Sequence, residues 1–264
     1  GRFRVIVPAR GDYLLDVQSF GRTVATKALR TLGKSIDVGT IAIEAPAEIT
    51  VDVRLDGATT DALVFIDPAD ERTRDAVESN RFGHSSRCAP LLGSPHGGSP
   101  TCNLAVVSGP TSIDLPAGHY DVYASAGPFA TLARKRLKLE PGDRESVSLS
   151  IAALPLAPEG VLAADFHVHG GASFDSSLPE SDRVRSMLAS GLQVIAGTDH
   201  DLVHDYTDTI TALGANGRLV ALGGVETTGH ILFDFVPGSD APQVIGHFNF
   251  WPMAFDPEGP WRGA

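Results

Sequence analysis

The sequence predicts a multidomain α and β protein. A β-sandwich region spans 1–153, a Pro-rich linker 154–160, and part of a parallel β/α barrel 161–264. Three observations predict it. The first half consists of short alternating runs bounded by turn residues, with little helical period. The stretch "LPLAPEG" at 154–160 breaks the pattern with two prolines and a glycine. After it, buried apolar runs alternate with amphipathic segments over short connections, the order strand, helix, strand of a parallel sheet.

In the first half, "FRVIVPARGDYLLDVQ" (3–18), "EITVDVRLD" (48–56), "ALVFIDP" (62–68), "HYDVYASA" (119–126) and "ESVSLSIAAL" (145–154) read as strands. "DERTRDAVESN" (70–80) reads as at most one surface helix. "VPARGDYLLDVQSFG" (7–21) and "LPAGHYDVYASAG" (115–127) form a weak repeat, each with Pro-Ala, a Gly, and a Tyr that opens a strand, so the region holds one sandwich unit or two related ones. In the second half, "VLAADFHV" (161–168), "LQVIAG" (192–197) and "RLVALGGV" (218–225) read as parallel strands. Between them, "ESDRVRSMLAS" (180–190) is a helix with Ser181 as N-cap, Val184, Met187 and Leu188 on one face, and Gly191 as its stop. "DYTDTITALG" (205–214) is a shorter helix with Ile210 and Leu213 inward. "HILFDFV" (230–236) and "VIGHFNFW" (244–251) supply further strands.

Composition narrows the function. With 42% hydrophobic residues the chain has material for real cores, and 28 Gly with 18 Pro agree with many turns. A net charge of −11 argues against electrostatic binding to nucleic acid or an anionic membrane. No apolar run approaches the ~18 residues of a membrane span. Cys88 and Cys102 lie in an aperiodic loop rich in Gly, Ser, Pro and His. A disulfide between them, contributing roughly 3 kcal/mol in the chain-entropy model, fits an exported protein. The same loop holds His84 and His96, so a zinc site and two unlinked thiols are the other readings.

Six of the 9 histidines fall within 167–247. His167 and His169 end the first strand of the second half, His200 follows the second, and Glu226 follows the third. The C-terminal ends of parallel strands converge on one face, where sites are built. Residues two apart on a strand share a side, so His167 and His169 can grip one ion. Imidazoles suit zinc, iron or manganese, and carboxylates such as Asp175 and Glu226 can bridge two ions ~3.5–4 Å apart, an arrangement used for hydrolysis. Asp165 reads either as an outer partner orienting a ligand histidine or as a strand-end carboxylate. His230 is open between ligand, outer partner and ordinary strand residue. His204 reads as a surface histidine. Asp199 and His204 are the candidates for assisting proton transfer.

The ordered set "DFHVHGGASFDSSLPESDRV…GLQVIAGTDHD…GGVETT…GHFNFWP" resembles the PHP (polymerase and histidinol phosphatase) superfamily, and within it the exported carbaryl-hydrolase-like branch. The sandwich half is more loosely similar to carboxypeptidase-regulatory or transthyretin-like modules. The resemblance covers about 161–253. It implies a distorted (β/α) barrel, here a partial PHP-type barrel, holding two or three divalent ions (Zn, Mn or Fe). Matched position by position, the implied ligands are His167, His169, Asp175, His200, Glu226 as bridging carboxylate, and His247. The implied activity is hydrolysis of phosphate esters or carboxylic and carbamic esters of small molecules, in a bacterial periplasmic or extracellular protein. The family's late D-x-H has no counterpart after His247, and 161–264 is about half of the ~200 residues or more of a complete barrel. A second chain, or a missing C-terminal segment, is therefore expected to complete it. The alternative is a non-catalytic secreted protein that binds a metal or a partner through an incomplete barrel.

Overall fold

The computed structural model describes residues 1–19, 22–78, 104–156, 158–176, 178–235, 237–238, 242–244, 246–254 and 256. Strands β1 (Arg10–Ser19) and β2 (Arg22–Leu32) form an antiparallel pair. They are followed by β3 (Ala47–Leu55), β4 (Ala58–Thr59), β5 (Asp61–Pro68), helix α1 (Glu71–Glu78), β6 (Leu104–Ser108), β7 (Thr111–Leu115), β8 (Gly118–Ser125), β9 (Ala133–Leu139) and β10 (Arg144–Ile151). One sheet has the order β10-β3-β4, with β7 also paired to β3, and the other the order β6-β5-β8-β9. The inward residues recur with period two: Ile49, Val51 and Val53 on β3, Ala62, Val64 and Ile66 on β5, Tyr120, Val122 and Ala124 on β8. Both sheets contribute to one core with Leu137, Leu139, Val147, Leu149 and Ile151. Burying each such side chain is worth about 1.5–3 kcal/mol, so alternation alone is enough to select a sandwich. The weak repeat has a shared local chemistry: Tyr13 donates its hydroxyl to the Pro8 carbonyl (3.1 Å), and Tyr120 to that of Pro116 (2.8 Å).

One carboxylate is buried on the outer face of the second sheet, opposite the core residues of β8. Asp121 on β8 is 5% exposed and accepts paired hydrogen bonds from Arg134 (2.8 and 3.1 Å) and Arg136 (2.7 and 3.0 Å) on neighbouring β9. The Arg136 and then the Arg134 guanidinium hold its carboxyl well below the usual carboxylate range, against the opposing effect of burial. A depressed folded value stabilises the fold above the unfolded carboxylate's pKa of about 3.9 and is lost as pH falls through the folded value. Asp121→Asn is therefore expected to cost about 1–2 kcal/mol at pH 7, discounted because both guanidinia are largely exposed. Urea unfolding checks it: the gap to the parent narrows below about pH 4, whereas a pH-independent gap contradicts this account.

The second half contains β11 (Ala164–Val168), α2 (Glu180–Ala189), β12 (Val194–Gly197), α3 (Thr207–Ala212), β13 (Val220–Leu222), β14 (Val225–Thr227), β15 (His230–Phe235), β16 (Pro242–Val244) and β17 (Phe248–Phe250). β11, β12 and β13 form a parallel sheet in sequence order, as expected. Val184 of α2, Tyr206 and Ile210 by α3, and Val168 and Ile195 of the sheet make a second core. Gly191, at φ +73°, ends α2. The helix begins at Glu180 after Pro179, which makes no side-chain cap, so Ser181 is inside it rather than at its N-cap.

The barrel expectation is overturned. The described chain is 45% strand and 10% helix, with no closed barrel. The physical reason lies in the connections. A parallel crossover needs a dozen or more residues, but only Gly223 and Gly224 separate β13 from β14, and only Thr228 and Gly229 separate β14 from β15. The chain instead turns into antiparallel pairs, β14 with β17 and β15 with β16. Gly224 permits the turn: a Cβ there would lie 2.6 Å from the Gly197 carbonyl oxygen and 2.7 Å from that of Phe250. The predicted strand 218–225 is accordingly split in two. α2 also lies against β5 and β6, and Arg218 pairs with Asp61, so the two halves are packed together.

Candidate metal centre

The cluster is assembled at the C-terminal ends of β11 and β12 and on β14. Asp165 pairs with Ile195, but Val168 pairs with Gly197, so β11 carries one extra residue there. Such a bulge re-aims side chains, and His167 sits within it. Val168 N donates to Thr198 Oγ1 (3.0 Å) and Thr198 N to the Val168 carbonyl (2.9 Å), which pins the two strand ends together. Past β12, His200 forms an isolated parallel bridge with Glu226. The β14–β17 register, Glu226 opposite Asn249, places His247 just ahead of the paired strand.

Glu226 is the hub. It is 3% exposed, and its Oε2 lies 2.8 Å from both His167 Nε2 and His169 Nε2. Its Oε1 lies 2.8 Å from His247 Nδ1, and His200 Nε2 is 3.9 Å from Oε2. Burial pushes the Glu226 carboxyl up, but hydrogen bonds from His167 and His247, with charge on His200 and His167, outweigh it and hold the group below its ordinary value. Asp175 is also held low, first by the Ser173 hydroxyl (2.6 Å), against burial, and then by His169. Its other oxygen is 3.4 Å from His200 Nε2.

Hydrogen bonding does not satisfy this arrangement. His167 Nε2 and His169 Nε2 are 2.9 Å apart while both face the same carboxylate oxygen. If both nitrogens carry protons, two N–H groups confront each other; if one does not, its lone pair faces a carboxylate. A cation accepts all three lone pairs. Ligand atoms ~2.1 Å from an ion and at right angles to one another lie ~3 Å apart, which matches. His200 Nδ1 is buried without a hydrogen-bond partner among the described residues. Three groups offer ligand atoms within 4.8 Å of one another: His167–His169–Glu226, His169–Asp175–His200 and His200–Glu226–His247. These groups, each built from exposed and more buried His, Asp or Glu side chains, could hold a metal ion.

All six sequence-predicted ligands therefore meet. The other candidates do not join them. Asp199 is fully buried; its carboxylate accepts from Gly170 N (2.7 Å) and from the Tyr206 hydroxyl (3.2 Å). Burial, and then Asp199, push that phenol up, so it stays a donor. Asp199 thus braces the loop after β11 and belongs to none of the three groups. His204, read as a surface residue, is 17% exposed and faces Glu180 of α2 at 3.1 Å, outside the three groups. Asp165 accepts from the main-chain N–H of His167 (3.0 Å), holding the backbone rather than an imidazole. His230 opens β15, but its side chain lies outside the described residues, as do Cys88 and Cys102 with His84 and His96. Ser173, 4% exposed, was not singled out from sequence. It contacts His169 Nδ1 (3.0 Å), donates to Asp175, and accepts from His200 N (3.1 Å). Its position two before Asp175 was the available signal.

Comparison with protein-family models and with curated proteins finds no match to this chain.

Proposed function

We propose that His167, His169, Asp175, His200, Glu226 and His247 hold two or three divalent ions, zinc, manganese or iron. In this reading the protein is a PHP-type metal-dependent hydrolase of small phosphate esters, or of carboxylic or carbamic esters. The observation that carries it is the meeting of two imidazole nitrogens and one buried carboxylate oxygen within 2.9 Å of one another. The ordered motifs over 161–253 support the same class, and with it export from a bacterial cell.

Bound ions of this kind lower the pKa of a coordinated water and neutralise charge on the reacting oxygens. The protein's own groups do the positioning. Glu226 turns its two oxygens toward different imidazoles, an orientation in which it would bridge two ions. Ser173 and Asp175 engage His169 Nδ1, which leaves Nε2 facing the centre. Phe174, stacked on His200 (4.5 Å), offers an apolar plane beside the cluster for the organic part of an ester.

Elemental analysis of the purified chain, with turnover of 4-nitrophenyl phosphate, acetate and carbamate, tests this. The expected result is at least two equivalents of transition metal and turnover of one ester class that chelation and His167→Ala both abolish. Folded protein that takes up no metal, or turnover indifferent to chelation, contradicts it. A second reading is metal or partner binding without turnover: His167, Asp175 and His247 are 54%, 44% and 42% exposed, so a partner's side chains can reach the cluster as readily as an ester can. Tight metal uptake with all three esters untouched is its result.

A further inference from the structure

We propose that Asp201 is a positioning residue that sets the separation of His200 and Glu226; this rests on the metal-centre reading above. No strand ladder spans these two ligands. β12 pairs with β11 and β13, while β14 pairs with β17. What joins them is short: the isolated bridge, made of Glu226 N to the Asp199 carbonyl (3.2 Å) and Asp201 N to the Glu226 carbonyl (2.8 Å), and a second bridge between His204 and Gly224. The Asp201 side chain doubles this link. Its Oδ1 accepts from Thr228 N (2.9 Å) and its Oδ2 from the Thr228 hydroxyl. Thr228, 4% exposed, is two residues beyond Glu226, so holding it aims the carboxylate.

The clamp requires an unusual backbone. Asp201 has φ +53°, in the left-handed region that Gly, Asn and Asp tolerate and other residues rarely enter. Glycine is at ease there but brings no carboxylate. The carboxylate at this position is directed at the main chain of the neighbouring ligand strand, and Asp201 belongs to none of the three groups that offer ligand atoms to an ion.

Cobalt(II) titration of the full chain, followed by its visible absorption, is run with amide hydrogen exchange on the metal-free chain, for the parent, Asp201→Gly and Asp201→Asn. Asp201→Gly is expected to weaken cobalt binding about 10–100-fold, the usual cost of losing a group that orients a ligand, to alter the spectrum, and to speed exchange at Thr228. Asp201→Asn keeps an oxygen for Thr228 N and restores all three. A glycine variant with the parent's affinity and spectrum overturns the proposal. A parent that takes up no cobalt refutes the metal centre instead, and exchange at Thr228 then decides: unchanged protection in the glycine variant overturns the clamp. Should the glycine variant not fold, Thr228→Val, which removes only the hydroxyl, is read in the same direction and by the same criteria.

Discussion

Glu226→Ala is expected to lower affinity for a transition-metal ion by more than about 100-fold, beyond the 10–100-fold typical of an outer partner. The substitution removes the two oxygens around which His167, His169 and His247 are arranged at 2.8 Å. No other carboxylate replaces them: Asp175 faces His169 Nδ1 and His200 on another side. The metal-free protein supplies a second readout. Because the folded Glu226 carboxyl lies below its ordinary value, its contribution is present above the unfolded pKa of about 4.3 and lost as pH falls through the folded value. Metal-free Glu226→Ala is thus less stable than the parent at pH 7, and the difference shrinks toward pH 3. Calorimetric titration at pH 7 checks the first effect and urea unfolding the second. A variant that binds metal as tightly as the parent removes Glu226 from the centre.

Gly127→Val is expected to destabilise the fold by about 2–5 kcal/mol without touching the cluster. A Cβ at Gly127 would lie 1.9 Å from the Ser190 carbonyl oxygen, and the reciprocal Cβ at Gly191 would lie 2.6 Å from that of Ala126. Both obstacles are backbone, so no rotamer change relieves them. Gly127 also has φ +89°. Left-handed strain of about 1–2 kcal/mol adds to an overpacking cost of 1–3 kcal/mol or more. The contact joins the loop after β8 to the end of α2, and so wedges the sandwich from the second half. Gly142→Ala is the control: its φ is +85°, but nothing lies within 4 Å, so only the strain of about 1 kcal/mol is expected. A Gly127→Val midpoint in urea equal to that of Gly142→Ala contradicts the close approach.

Much of this was legible in the sequence where the signal is local. Alternation in β3, β5 and β10 reports burial of every second residue, and these strands and β8 lie within a few residues of their expected positions. β2 was missed because "RTVATKALRTL" alternates weakly, with Lys27 and Arg30 among small polar residues. Histidines placed just after apolar runs marked the cluster, since strand ends share a face whether or not a sheet closes. The barrel failed because the inference extended three parallel strands beyond β13. The two-residue spacers Gly223-Gly224 and Thr228-Gly229 are too short for another crossover, a limit that could have been read from spacing. Asp199, His204 and Tyr206 were opaque for another reason. Their roles depend on partners 7 to 29 residues away, Asp199 with Tyr206 and Gly170, His204 with Glu180. Such pairing is decided by the close packing of the loops around α2 and α3.

Anomalous diffraction from crystals of the chain grown with manganese or zinc tests the central claim most directly. The prediction is a peak within about 2.3 Å of His167 Nε2, His169 Nε2 and Glu226 Oε2 together, with a further one in the group of His169, Asp175 and His200 or in that of His200, Glu226 and His247. Metal-loaded crystals with no peak at Glu226, or with ions bound only elsewhere on the surface, would contradict it.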